Sequence, residues 1–466
     1  MVGNSLVENR RQGVAHAVQD SDGQFGAVVR PVRRRRCNRH VRFSVAADMT
    51  AALIALPTRA KSVGEVFLPE LLPRPLGHRF AVLDSLRGVS ALMVCLFHFH
   101  GRGPLTAMSL VQGSWLFVDF FFVLSGFVIA ANYRQRLIAG GFFRGFVMLR
   151  LGRVYPLHFV VLLGFVAIEA LGVLLGLAGQ GNRTLFEGHH SVMSIFSNLT
   201  LVQSFGLHDG LTWNQPAWSI AVEFWTYLLF ALLARCVGPA LEKWLAVVVI
   251  GCLLTLLVVS PLGINVTYTL GMLRGVFGFA VGALAWRAWQ SAGHFPSQPY
   301  RFASLVEVAT VAAVIGFISF GDDAPANLVA PFLFAAAVLV FARAGGRVSR
   351  WLLVPALRRL GVLSFSIYMV HTFVQARFYD VLRVVQRLTH IDLVGSETLA
   401  NGKVVAVAGV VPWQGVLLTL LMLGIVVAVS ELTWRLIEVP GQRWARRRAG
   451  MATGASPRRV GITGLP

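Results

Sequence analysis

Apolar stretches long enough to fill a bilayer recur along this chain, separated by short polar or basic connections. They predict ten helices, over residues 82–100, 115–132, 150–177, 218–236, 243–260, 270–290, 303–319, 327–342, 363–377 and 415–437. The runs are too long for barrel strands and lack the alternation such strands need. One further segment, 193–205, is short and polar enough to lie at the interface or to re-enter. Counting it as a span would invert every later helix. The expected fold class is an all-α polytopic membrane protein with about ten transmembrane helices.

Basic residues choose between the two counts. With the N-terminus inside, ten spans put Arg134, Arg136, Arg144, Arg150 and Arg153 in one inner connection. Later inner connections hold Arg235 and Lys243, Arg287 and Arg301, then Arg343, Arg347, Arg350, Arg358 and Arg359, and the C-terminal RWARRR also falls inside. Outer connections are poor in Lys and Arg, and 320–326 carries Asp322 and Asp323. Only 378–414, with Arg383, Arg387 and Lys403, departs, and long loops weigh little in this rule. Both termini are expected to be cytoplasmic.

Composition agrees, with 56% hydrophobic and 14% charged residues. A net charge of +21 suggests nucleic acid until its distribution is read. Residues 1–81 carry 13 Lys and Arg against 6 acids, and residues 435–466 carry 7 against 1. The tract RRRRCNRHVR (33–42) suits anionic lipid or nucleic acid, with a solvated basic tail as the plainer reading; membrane lipids are expected partners and nucleic acid is not. Residues 1–77, without clear periodicity, are expected to be a basic, mostly disordered extension, 78–445 the membrane-embedded domain and 446–466 a basic tail. A start at Met49 is compatible with this reading. Cys37, Cys95, Cys236 and Cys252 are scattered without metal-ligand spacing, so neither a disulfide framework nor a metal site is expected.

Several apolar runs carry groups that lipid does not want. In LDSLRGVSALMVCLFHFH (83–100), Arg87 and His98 are eleven residues apart, three turns plus roughly 20°, on one face and about 16 Å apart along the axis. Asp84 lies one turn before Arg87 and can pair with it. Arg87 as a snorkelling anchor and His98 as an interhelical hydrogen-bonder are the plain readings. Ionisable groups inside a bundle also mark functional cavities, and an imidazole suits proton abstraction near neutral pH. FVDFFFVLSGFVIA (117–130) sets Ser125 beside Gly126. RGFVMLRLGRVYPLHF (144–159) sets Arg150 and Arg153 on one face, where they suit membrane anchoring or a bidentate grip on phosphates. NQPAWSIAVEFWTYLLF (214–230) sends Glu223 into a helix near the outer side, costly unless paired or protonated. TLGMLRGVFGFAVGALAW (269–286) buries Arg274, a functional group or the counter-ion of a structural acid. LSFSIYMVHTFVQARF (363–378) adds Tyr368 and His371.

Taken in order, these motifs resemble the acyltransferase family 3 membrane proteins, which O-acylate cell-surface and secreted carbohydrates. The spacing from Arg87 to His98, FFFVLSGF, Arg150 and Arg153 with Pro156, NQPAWSIAVEF, FSIYMVH and IEVPGQR (437–443) carry the resemblance, across roughly 80–445. Val370 stands where the family usually has an aromatic before the late His, and Phe365 where it often has Tyr. No soluble hydrolase-like domain follows, so transfer is expected to be completed by the membrane domain or a partner. The resemblance implies a cytosolic acyl-CoA donor, used as a substrate with no bound cofactor, its phosphates held by Arg150 and Arg153 with help from Arg87. It implies His98 as the general base toward a sugar hydroxyl, with Glu223 orienting the imidazole. His371, Tyr368, Ser125 and Arg274 are secondary candidates.

The expected function is an O-acyltransferase moving an acyl group, acetyl by first choice, to a polysaccharide, lipopolysaccharide or other glycoconjugate. The alternative is a transporter or channel using the buried Arg, His and Glu groups as a proton or anion path. A membrane scaffold leaves those groups unexplained.

Overall fold

Every predicted apolar segment lies on a helix in the computed structural model, which describes residues 80–176, 186–292, 302–321, 323–398, 402 and 404–450. These all belong to one unit, 73–466. The ten long helices are α1 (Ala81–Phe97), α2 (Phe117–Ile138), α3 (Phe143–Leu174), α4 (Ala217–Val237), α5 (Leu241–Val259), α6 (Gly271–Ser291), α7 (Ala303–Phe320), α8 (Ala330–Ala342), α9 (Pro355–Thr389) and α10 (Pro412–Thr433). A terminal helix, Val439–Arg448, continues from α10 through a wide turn at Trp434–Glu438. The expectations for 1–77 and for the tail past Gly450 lie outside the described residues.

Among the described residues, five helical stretches are long and apolar enough to cross a membrane: Ser109–Ile138, Phe143–Leu174, Ala217–Val259, Ala303–Phe320 and Pro412–Arg448. Helices α1, α6 and α9 are not among them. Their sequences carry Arg87, Arg274 and His371, side chains that neighbouring helices receive. The apolar ring around them is supplied by α3, α5, α7 and α10, which expose Leu163, Ile250, Leu254, Leu305, Ile315 and Leu420. Large exposed apolar side chains on a helical bundle are what a lipid solvent requires.

Glycine decides which helices touch most closely. A Cβ at Gly88 of α1 would collide with the Leu360–Gly361 backbone of α9, and one at Gly361 with the backbone of Asp84. Gly126 and Gly282 do the same for α2 and α6, against the carbonyls of Phe279 and Val123. Small residues let backbones approach where no hydrophobic force drives helices together. Both pairs run parallel: Arg87 meets Ser364 and His98 meets His371 along α1 and α9. Between α2 and α6, Asp119 meets Arg274 and Phe127 meets Trp286.

Two elements differ from the sequence expectation. Helix α9 runs for 35 residues, roughly 52 Å at 1.5 Å per residue, because charged residues flanking its apolar centre stay helical by pairing, Arg359 with Glu431 and Arg377 with Asp380. The connection after it is not wholly irregular, which qualifies the all-α expectation. Val394–Thr398 and Val404–Ala408 form an antiparallel ribbon whose last residue brackets the start of the α1–α2 connection. The amide of Ala408 donates to the His100 carbonyl at 2.8 Å, and that of Arg102 donates to the Ala408 carbonyl at 2.9 Å. The segment 193–205 matches its expectation: its helix, Val192–Leu199, is about 12 Å long and too short to span.

Candidate active site

The two ends of α1 feed two polar clusters. Around Arg87 lies a cavity of about 300 Å³, walled by α1, α2, α3, α4, α9 and the terminal helix. Arg87 donates from Nε to Ser364 Oγ at 2.8 Å and from Nη2 to the Gly361 carbonyl at 3.3 Å, and pairs with Asp84 at 3.2 Å. That first bond fixes the guanidinium just above the Gly88–Gly361 crossing.

Arg150 and Arg153 of α3 line the same cavity, held in different ways. Arg150 is caged by the rings of Tyr133, Phe146 and Tyr227, 5.1, 5.8 and 5.7 Å from its central carbon, and donates to Tyr133 Oη at 3.1 Å. Its Nε is buried without a hydrogen-bond partner. A guanidinium poised by aromatic faces and left with donor capacity suits an incoming anion. Arg153 instead pairs with Glu438 at 3.2 Å. Glu438 also accepts from Ser366 Oγ at 2.9 Å and Gln442 Nε2 at 3.0 Å, so this buried carboxylate is fully used. Arg446 of the terminal helix completes the basic lining.

Glu223 lines this cavity too, away from the imidazole it was expected to orient. Its Oε1 accepts from Ser125 Oγ and Tyr227 Oη. At the start of the same helix, Gln203 Nε2 and Ser204 Oγ donate to the carbonyls of Ala217 and Trp218 at 3.1 and 2.9 Å. Ser125, a secondary candidate, thus joins the cavity. Arg274 does not. It forms a fully buried two-point pair with Asp119, Nε to Oδ1 at 2.9 Å and Nη2 to Oδ2 at 2.7 Å, between the rings of Trp115 and Trp218.

The second cluster holds the histidines. His98 is the residue that ends α1, and its Nδ1 lies 2.9 Å from the Val94 carbonyl. His371 Nε2 is 3.3 Å from the same His98 Nδ1, with the ring centres 5.0 Å apart. His371 is wholly buried whereas His98 is partly accessible. Tyr368 joins the clusters: it lines the cavity, bonds Ser219 at 2.7 Å, and packs its ring edge-on to His371 at 5.9 Å. Asn214, from the NQPAW motif, supports the same turn of α9 by donating to the Met369 carbonyl and accepting from Thr372 Oγ1.

The sequence reading missed Glu438, Tyr227, Gln442 and Arg446. Two signals point to them: IEVPGQR carries a carboxylate within an otherwise basic end of the chain, and Tyr227 stands one helical turn from Glu223, on the same face.

The family model for the acyltransferase 3 domain matches residues 80–435. The chain belongs to that family. It is an acyltransferase and a multi-pass membrane protein. Among relatives, Protein 2 in the picA locus of Rhizobium radiobacter is 33% identical over 162 residues, 33% of this chain and 81% of that one. Acyltransferase MdmB of Streptomyces mycarofaciens is 27% identical over 363 residues, covering 73% of this chain and 84% of its own. The peptidoglycan O-acetyltransferase OatA of Listeria monocytogenes serovar 1/2a is 25% identical over 337 residues, 65% of this chain but only half the length of that relative. No solved structure matches the chain. The matched region contains both clusters' α1, α3, α4 and α9 residues and stops short of Glu438, Gln442 and Arg446.

Proposed function

We propose that this acyltransferase moves an acyl group, acetyl by first choice, from cytosolic acyl-CoA to a hydroxyl of a polysaccharide, lipopolysaccharide or other glycoconjugate. The observation that carries the reading is the cavity in which Arg87, Arg150, Arg153 and Arg446 converge, with the imidazole of His98 at the other end of α1. The donor's phosphates bind the guanidiniums, Arg150 offering its unused Nε. His98 Nε2 removes the proton from the acceptor hydroxyl as its oxygen attacks the thioester carbonyl. The carbon–sulfur bond then breaks, and the departing thiolate takes the proton back from the imidazolium. A carbohydrate acceptor is supported by the family and by the relative named as a peptidoglycan O-acetyltransferase.

Ten spans with both termini in the cytoplasm of an inner membrane place the cavity toward the donor. Helix direction supports this count. Parallel α1 and α9 require an odd number of crossings between them, which ten spans supply and an eleventh at 193–205 removes.

The test is transfer from labelled acetyl-CoA by full-length protein in proteoliposomes supplied with crude surface glycan. His98→Ala should lower transfer by about 10²–10⁴-fold, the contribution of a positioned base. A folded His98→Ala protein that labels glycan at the wild-type rate overturns the assignment, and label that never enters glycan with any acyl-CoA overturns the substrate pair.

A further inference from the structure

Two carbonyl oxygens fix the hydrogens of the histidine pair. A carbonyl only accepts, so His98 Nδ1, 2.9 Å from the Val94 carbonyl, carries a hydrogen. By the same rule His371 Nδ1, 3.2 Å from the Ile367 carbonyl, carries one as well. In a neutral His371 ring the lone pair is then on Nε2, the atom that faces His98 Nδ1 at 3.3 Å. The His98 hydrogen is therefore shared between the Val94 carbonyl and the His371 lone pair. In neutral His98 this leaves Nε2 as the basic nitrogen, on the ring that remains partly accessible.

We propose that His371 is a positioning residue for His98, holding the imidazole through its Nδ1–H and stabilising the imidazolium formed when Nε2 takes the acceptor's proton. This rests on the reading of His98 as the base. Such an orienter needs an acceptor aimed at the far nitrogen of the base, and elsewhere a carboxylate commonly fills that place. Here Glu223 is engaged by Ser125 and Tyr227, and a neutral imidazole stands in its stead. Burial suits the role: His371 is wholly enclosed by protein, so it does not compete with His98 for the acceptor's proton. It is also held on its own account. Its Nδ1–H is engaged by Ile367, Tyr368 packs against its ring, and Asn214 ties down the turn on either side. As the proton arrives at Nε2, the Nδ1–H becomes a charged donor, and a bond to a fixed lone pair strengthens at the moment the positive charge develops.

The experiment is solid-state NMR of the full chain in proteoliposomes with ¹⁵N-labelled histidine, near neutral pH, alongside kinetics of His371→Phe and His371→Gln. His98→Ala and His371→Phe spectra assign the two rings. Both rings should carry hydrogen on Nδ1 and none on Nε2. His371→Phe, which keeps the bulk and loses the acceptor, should lower kcat about 10–100-fold, less than the loss of the base itself, with KM for acyl-CoA within about twofold. His371→Gln, whose amide oxygen can accept, should recover much of that loss. Hydrogen on His371 Nε2, or wild-type kcat in His371→Phe, overturns the proposal, as does a loss in His371→Phe that His371→Gln leaves unrepaired while both proteins melt like wild type. Because tautomers are read without turnover, these failures are distinct from an active His98→Ala protein, which removes the base itself.

Discussion

Two arginines of the bundle, Arg274 and Arg150, answer differently to removal. Arg274 shares two short hydrogen bonds with Asp119 and lies wholly inside the bundle, so losing it leaves an uncompensated carboxylate. Arg274→Met should cost about 3–5 kcal/mol, and adding Asp119→Leu should return most of it, since a buried pair is worth little more than an apolar replacement of similar volume. Thermal unfolding in detergent measures both; a double variant no more stable than the single refutes the structural reading. Arg150 has aromatic rings and one tyrosine hydroxyl for company and keeps Nε for a ligand. Arg150→Gln should leave the melting temperature within a few degrees and raise KM for acyl-CoA about 10–100-fold, the worth of a charged hydrogen bond. A changed melting temperature with unchanged KM would assign it to the scaffold instead.

At the scale of elements, the glycine crossings set the site. Gly88→Ala drives a methyl into the α9 backbone, which should destabilise the protein by about 1–3 kcal/mol and disturb Arg87 next to it. Gly251→Ala, in α5 with open space where its Cβ would go, should be neutral or stabilising by up to about 1 kcal/mol through helix propensity. Equal melting temperatures for the two variants would mean the α1–α9 contact is loose. The helices themselves were legible in sequence because apolar length is a local signal. Their ends were less so: α9 continues past its apolar centre on the strength of Arg359 and Arg377 finding carboxylates, one on α10 and one on the next turn. The ribbon at 394–408 depends on contacts with residues 100–102, which no local pattern announces.

Over the whole molecule, periodicity put Arg87 and His98 on one seam, and the Arg150–Arg153 spacing put two cations on one face. What periodicity along one helix cannot supply is the partner from another. The carboxylate expected beside His98 is three helices away in chain order and belongs to Ser125 and Tyr227, while the imidazole's neighbour comes from α9. Sidedness is the remaining whole-molecule property. In a cysteine-free background, Lys243→Cys, at the exposed start of α5, should react with a membrane-impermeant maleimide in inverted vesicles, and Asp209→Cys, between α3 and α4, in intact spheroplasts. The reverse pattern would turn the cavity toward the acceptor side and remove the donor assignment.

The crossing of α1 and α9 also works as a ruler. Gly88 and Gly361 touch, and His98 and His371 each stand ten residues further on, about 15 Å along two helices that run the same way. The imidazoles meet because both strands of this measure have the same number of divisions. One residue added to or taken from either helix between the crossing and its histidine would swing that ring by about 100°, out of its neighbour's reach, with every side chain of the site still present. The segments 88–98 and 361–371 are therefore constrained in length as well as in composition, and changes of length are tolerated only beyond their ends.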